Sequence, residues 1–403
     1  MNSSPTSTWF SALPPASRLV PRRPVAAGWR GWWAALVAAQ LLAGTAGAEP
    51  HTYAPKHAWS LRVGRHNESA PALDTNGTIY VTTMDGELYA INPDGSPRWR
   101  YAFDFETVST PAIGADGTLY FGCRNRHLYA VSPTGQLRWR FKTGNWVDAS
   151  PALGTKGTVY FGSWDKKFYA VNPDGTKQWE FATGGPVASS AAIDRAGVIY
   201  FGSHDGNFYA LQPDGTKQWE FATEGAILSS PAIGAEGTLY FTCAAGYLYA
   251  LNPEGTLRWK LHTGGINAAS PVLGLHETIF LGINSNHCAV SAAGKLLWSN
   301  HLSPQGYPLW DWIVAAPVAL ADGAAITAGT DGQLAVYEQP GWSWHVALGA
   351  GLRAAPVITA DGKVYCVTTH TGLQAWTHFP GPAPSAWPMF RGNAQRTGRV
   401  NPL

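Results

Sequence analysis

Trp146 and Trp312 occupy the same place in two loops of an otherwise repetitive sequence. Two indoles facing across a cleft can clamp a sugar, an aromatic group or a partner's side chain; packing inside their own loops is the plain alternative. Asp148, two residues beyond the first, is a candidate polar contact, and Trp164 follows in the next connection. Trp312 closes the segment Tyr307-Pro308-Leu309-Trp310-Asp311-Trp312. Apolar aromatics in a long surface loop form either a lid or a contact surface. Arg124, Arg126, His127, Asp165, Lys166, Lys167, His204 and Asp205 add a mixed rim. Their scatter suits a protein or glycan surface better than a catalytic pocket, with ordinary solvated loops as the alternative.

Thiol and metal chemistry find less support. No two of Cys123, Cys243, Cys288 and Cys366 are adjacent, and no haem-type Cys-x-x-Cys-His occurs. The four are expected as buried small apolar residues, since a metal site needs His and Cys converging at close range.

The elements that position these residues follow from composition and period. The 403 residues include 45 Gly, 29 Pro and 19 Trp but only 13% charged residues, against about 25% in a typical soluble domain. A helical protein needs more Lys, Glu and Ala, and a disordered one lacks 12% aromatics. Turn-rich β structure remains. The net charge of +2 gives no electrostatic reason to expect nucleic acid. Residues 1–48 stand apart, with Arg18, Arg22, Arg23 and Arg30, no acid, an apolar run from Gly31 to Ala43, and Ala46-Gly47-Ala48. This reads as a secretory signal cleaved after Ala48, with an uncleaved anchor as the alternative. The run is shorter than the roughly 18–20 residues of a membrane span. The remaining chain is expected to be exported to the periplasm or the exterior, monomeric and without a span. Taking four arginines from 28 basic residues leaves 24 against 26 acids, a net charge of −2.

From residue 57 a unit of forty residues recurs. Trp59, Trp99, Trp139, Trp179, Trp219 and Trp259 are evenly spaced, and Trp298 and Trp344 continue the series. Ser229 to Thr263 shows the unit: a small Ser-Pro-Ala-Ile run, two aromatic and aliphatic runs, and a fourth around the Trp. Asp-Gly or Glu-Gly, and Asn-Pro-Asp-Gly, supply tight turns between them. Such a four-stranded antiparallel meander buries both faces only when copies stack radially, so the fold is an all-β propeller. The first three runs occur eight times, while the first Trp run precedes unit one and the last unit lacks its own. Eight blades are expected, with the N-terminal strand completing the last; seven blades and a stray hairpin is the alternative. The domains are then a signal over 1–48, the propeller over 49–386 and a tail over 387–403.

Positions that repeat serve the blade, so the eight tryptophans are expected to pack blade on blade. Three places before the repeated Pro, Glu68 and Arg353 fall on adjacent blades once the ring closes and should pair across it. Trp146 and Trp312 lie in units four blades apart, on opposite sides of the channel mouth. Cys123 and Cys243, three blades apart, exceed the roughly 7 Å Cα separation of a disulfide. The interval from Trp298 to Pro317 is 19 residues where twelve is usual, which marks the loop of Tyr307 to Trp312 as the one large insertion.

The stretch Tyr249-Ala250-Leu251-Asn252-Pro253-Glu254-Gly255-Thr256-Leu257-Arg258-Trp259 and its parallels at 89–99, 129–139, 169–179 and 209–219 resemble the pyrroloquinoline quinone (PQQ) type propeller repeat. The resemblance spans nearly all of residues 57–376, and Trp387 to Arg399 also looks like a segment found at an end of such propellers. It implies one of two functions. Quinoprotein dehydrogenases hold PQQ and calcium over the channel, with acids, amides and often a disulfide between neighbouring cysteines. Non-catalytic members, including the propeller lipoprotein of outer-membrane assembly, use loops for protein contact. Here the motif runs from Ala to Trp in nine residues, one fewer than the dehydrogenase pattern, and the 355 residues after Ala48 leave little beyond blades. The expectation is therefore an exported non-catalytic scaffold or protein-binding module of the cell envelope, without a cofactor. A PQQ-dependent dehydrogenase is the rival, and a carbohydrate-binding propeller is the third reading.

Overall fold

Runs of Val, Ile, Leu, Tyr and Phe between glycine-bearing turns form strands that pair with their immediate neighbours. The computed structural model describes residues 53–64, 66–103, 105–264, 269–283, 286–301, 315–338 and 341–400. Residues 1–48, expected as a signal, and Tyr307, Trp310, Asp311 and Trp312 lie outside them. The described residues form eight four-stranded antiparallel sheets. Seven are sequential meanders, beginning at Ala72, Ala112, Ala152, Ala192, Ala232, Val272 and Val318. In the eighth, strand Lys56–Leu61 pairs with Gly372–Thr377, outside Val364–Thr368 and Val357–Ile358. The ring is thus closed by the N-terminal strand, and the eighth blade is no stray hairpin.

The core lies between adjacent sheets. Middle strands such as Leu119–Cys123 are wholly buried, whereas outer strands such as Leu137–Lys142 alternate. Phe168 stacks on Phe201 at 4.0 Å and Phe208 on Phe241 at 3.9 Å, locking consecutive blades. Trp99 donates its Nε1–H to the Pro133 carbonyl in the next blade's turn at 3.0 Å. A Cβ on Gly135, at φ 82°, would stand 2.8 Å from that indole, so both the turn and the contact require glycine. The same bond recurs from Trp59, Trp139, Trp179, Trp219 and Trp259. Trp298 instead packs on Phe280 and Tyr337, and Trp344 on Trp376 and Phe379. Blade eight has no turn leading to an outer strand of its own, so aromatic rings fill the place beside Trp344.

The tail crosses the axial channel. Backbone N–H groups of Leu73, Ile113, Leu153, Ile193, Leu273 and Ala319, all on innermost strands, donate to carbonyls of Ala394, Gln395, Thr397, Gly398, Trp387 and Pro388. These contacts begin at Gly381, whose carbonyl accepts from Ala321. A segment with little regular structure thereby satisfies the inner edges of six sheets, which would otherwise be unpaired.

All four cysteines are free and buried. Burial pushes the Cys123 thiol up to about 11 and Cys366 up to about 12, which suits packing rather than nucleophilic chemistry. His287 is fully enclosed against Tyr337, and burial lowers its pKa to about 3. It is neutral when folded, while the unfolded chain protonates it near pH 6.5. Its contribution to stability is complete above that pH and lost as the pH falls towards about 3. Urea midpoints measured across that window should decline, and His287→Leu should flatten the decline.

Candidate functional site

In a closed meander propeller, the turns between second and third strands share one face with the connections between blades. On that face the connection 143–149, between blades two and three, meets the turns at 124–126 and 164–166. Trp164 donates its backbone N–H to the Trp146 carbonyl at 2.8 Å, and Val147 donates to the Cys123 carbonyl at 3.2 Å. These bonds fix the loop that presents Trp146, which is 42% exposed.

The side chains form one cluster. Asp148 accepts from Arg124 Nε at 3.0 Å, from its second nitrogen at 3.3 Å, and from Trp164 Nε1 at 3.0 Å. Arg124 also reaches Glu106 at 3.3 Å and lies 5.2 Å from the centre of the Trp146 ring. Burial opposes the Arg124 charge, but Asp148 and Glu106 outweigh it and raise its pKa. Trp146 meets Trp164 edge to face at 5.8 Å, and Trp164 meets His204 at 5.2 Å. Burial lowers the His204 pKa, with Asp205 opposing; its Nε2 is buried without a partner.

Trp146, Asp148 and Trp164 therefore do come together, but Asp148 is not a spare polar contact. Its oxygens hold Arg124 and Trp164, so its charge is spent on positioning the aromatic pair. Asp165 and Asp205 are turn locks: each accepts the backbone N–H of Gly144 or Gly184 at 2.7 Å and the hydroxyl of Tyr169 or Tyr209. Lys167 pairs with Glu180 at 2.6 Å. One neighbour escaped the sequence reading. Phe105 is 47% exposed beside this cluster, where Arg124 donates its backbone N–H to the Glu106 carbonyl at 3.0 Å. The signal was present, because the equivalent positions are Asn145, Gly185, Gly225 and Gly265.

The channel mouth opens on the same face as a cavity of about 260 Å³, closed below by Phe390. Glu68 and Arg353 pair across the ring closure at 3.2 Å. Their equivalents Val108, Ala188 and Leu228 are aliphatic. A quinone with calcium needs carboxylates and amides free to coordinate it. Both described carboxylates of this mouth are already paired, and no group of three His, Cys, Asp or Glu suited to a metal occurs among the described residues. The described donor set does not fit PQQ with calcium.

The family model described as outer membrane protein assembly factor BamB matches residues 54–132 and 124–272. The chain belongs to that family. Among solved structures, BamB from Moraxella catarrhalis aligns with a TM-score of 0.68 at 16% identity, covering 80% of this chain and 98% of that one. The computationally designed Ika8 protein aligns equally well, with a TM-score of 0.68 at 13% identity, covering 80% and 99%. At these identities the structural matches establish the propeller fold alone. No curated protein sequence matches the chain. No described helix of this BamB-family propeller is long and apolar enough to cross a membrane.

Proposed function

We propose that this BamB-family propeller is exported and acts in the cell envelope as a non-catalytic protein-binding scaffold, through the face that carries Trp146. The supporting observation is the cluster itself. An exposed indole is held from below by Arg124, Asp148 and Trp164, so its orientation is fixed before a partner arrives. A rigid aromatic with a charged surround is what binding hot spots are made of. Paired carboxylates at the channel mouth favour a scaffold over a quinoprotein, and reconstitution with PQQ and calcium should yield neither a quinone absorbance band nor dye reduction with alcohols or sugars.

The direct test is capture of proteins from an envelope extract by wild-type and Trp146→Ala chains. Loss of a hot-spot aromatic costs about 2 kcal/mol or more, so retained partner should fall by at least about tenfold at unchanged thermal stability. Equal capture by the two chains would remove this face from the function.

A further inference from the structure

Blade two breaks a charge pattern that its neighbours keep. Where the third strand begins beside the outer strand, blade one pairs Glu87 with Arg100 at 3.1 Å and blade three pairs Lys167 with Glu180 at 2.6 Å. The same places in blade two hold His127 and Arg140, with Arg126 and Lys142 added. Lys142 lies in register with His127, and Arg140 with Tyr129. All three cations are exposed, and all three oppose a positive charge on the imidazole. The described acids nearby are committed elsewhere: Glu106 to Arg124 and Asp116 to Arg138. No described carboxylate pairs with Arg126, Arg140 or Lys142.

This patch adjoins the aromatic cluster. Thr143 donates its backbone N–H to the Arg126 carbonyl at 2.9 Å, three residues before Trp146. The Cys123 thiol meets the Phe105 carbonyl at 3.8 Å, just before Arg124. Two exposed rings and three cations without a described carboxylate partner thus share one edge of blade two. We infer that this edge binds an acidic, aromatic-bearing segment of the partner protein, with carboxylates on Arg126, Arg140 and Lys142 and apolar side chains against Phe105 and Trp146. The inference rests on the protein-binding reading above and adds the chemistry of the partner. Charge also limits the occupant's size. Residues 105–144 carry five bases and two acids, whereas 66–103 on one side carry two bases and five acids and 145–184 on the other carry four of each. A long polyanion would meet repulsion on the blade-one side of the patch and no net attraction on the blade-three side, whereas a short acidic segment would need neither side.

Fluorescence anisotropy with a labelled peptide alternating Glu and Phe, and its Lys and Phe counterpart, tests this on the full chain. The acidic peptide should bind more tightly, weaken with salt, and lose at least about tenfold in affinity on the triple reversal Arg126→Glu, Arg140→Glu, Lys142→Glu. All three side chains are exposed, so circular dichroism should show an unchanged fold. Equal binding of the two peptides, indifference to the reversal, or tighter binding of duplex DNA would overturn the inference. If Trp146→Ala abolishes capture from the envelope extract while the triple reversal does not, the face stands and its acidic specificity falls.

Discussion

Arg396→Ala should lower the unfolding free energy by about 3 kcal/mol, since hydrogen bonds to a charged group contribute roughly 1.5–3 kcal/mol each and strand their partners when lost. Arg396 is fully buried on the propeller axis. Its guanidinium donates to the carbonyls of Pro71 at 3.1 Å and Pro356 at 2.8 Å, and also to Phe390 and Ala355. It therefore ties the tail to blades one and eight, the two that meet at the ring closure. Arg391 does the same for blades three and four through Pro151 and Ala191. Burial pulls both pKa values down to about 9, and the Arg396 charge adds to the effect on Arg391. Both therefore remain cations at neutral pH, with carbonyl dipoles in place of carboxylates as partners. Lysine cannot reproduce a planar fork that reaches several carbonyls, so Arg396→Lys should recover little of the loss. Equilibrium urea unfolding of the three chains checks the order wild type, then Lys, then Ala.

A chain beginning at residue 62 should lose at least about 3 kcal/mol, the range for removing a packed Trp side chain, and should unfold less cooperatively. It lacks the strand Lys56–Leu61 that completes blade eight. It also lacks Trp59, whose ring packs 5.9 Å from Tyr365 and whose Nε1 reaches Pro93 of blade one at 3.1 Å. The strand Gly372–Thr377 would become an open edge able to pair with another chain. Concentration-dependent association should follow, and a synthetic peptide of residues 53–64 should reverse it. Thermal unfolding with and without the peptide, alongside light scattering, measures both effects.

The fold was legible because every blade repeats its own constraints. Eight Trp positions and their turns exposed the period, and the offset of Trp59 located the closing strand. The site was only partly legible. Trp146, Asp148 and Trp164 stood out as departures from the repeat, yet sequence spacing cannot reveal that Arg124 lies between Asp148 and Glu106, because that contact joins different connections. Asp148 consequently looked unpaired. Arg391 and Arg396 were harder still. Their partners are backbone carbonyls of distant inner strands, and a carbonyl leaves no mark in a sequence. The position of Phe105 was readable by comparing connections, as a large ring where the next four carry Asn or Gly.

Photo-crosslinking measures most directly whether the face of Trp146 is the working surface. A photoreactive residue in place of Phe105 or Trp146 should trap a discrete envelope protein, whereas one in place of Asp174, exposed in a turn between third and fourth strands on the opposite face, should trap none. Crosslinks from position 174 with none from 105 or 146 would contradict the account.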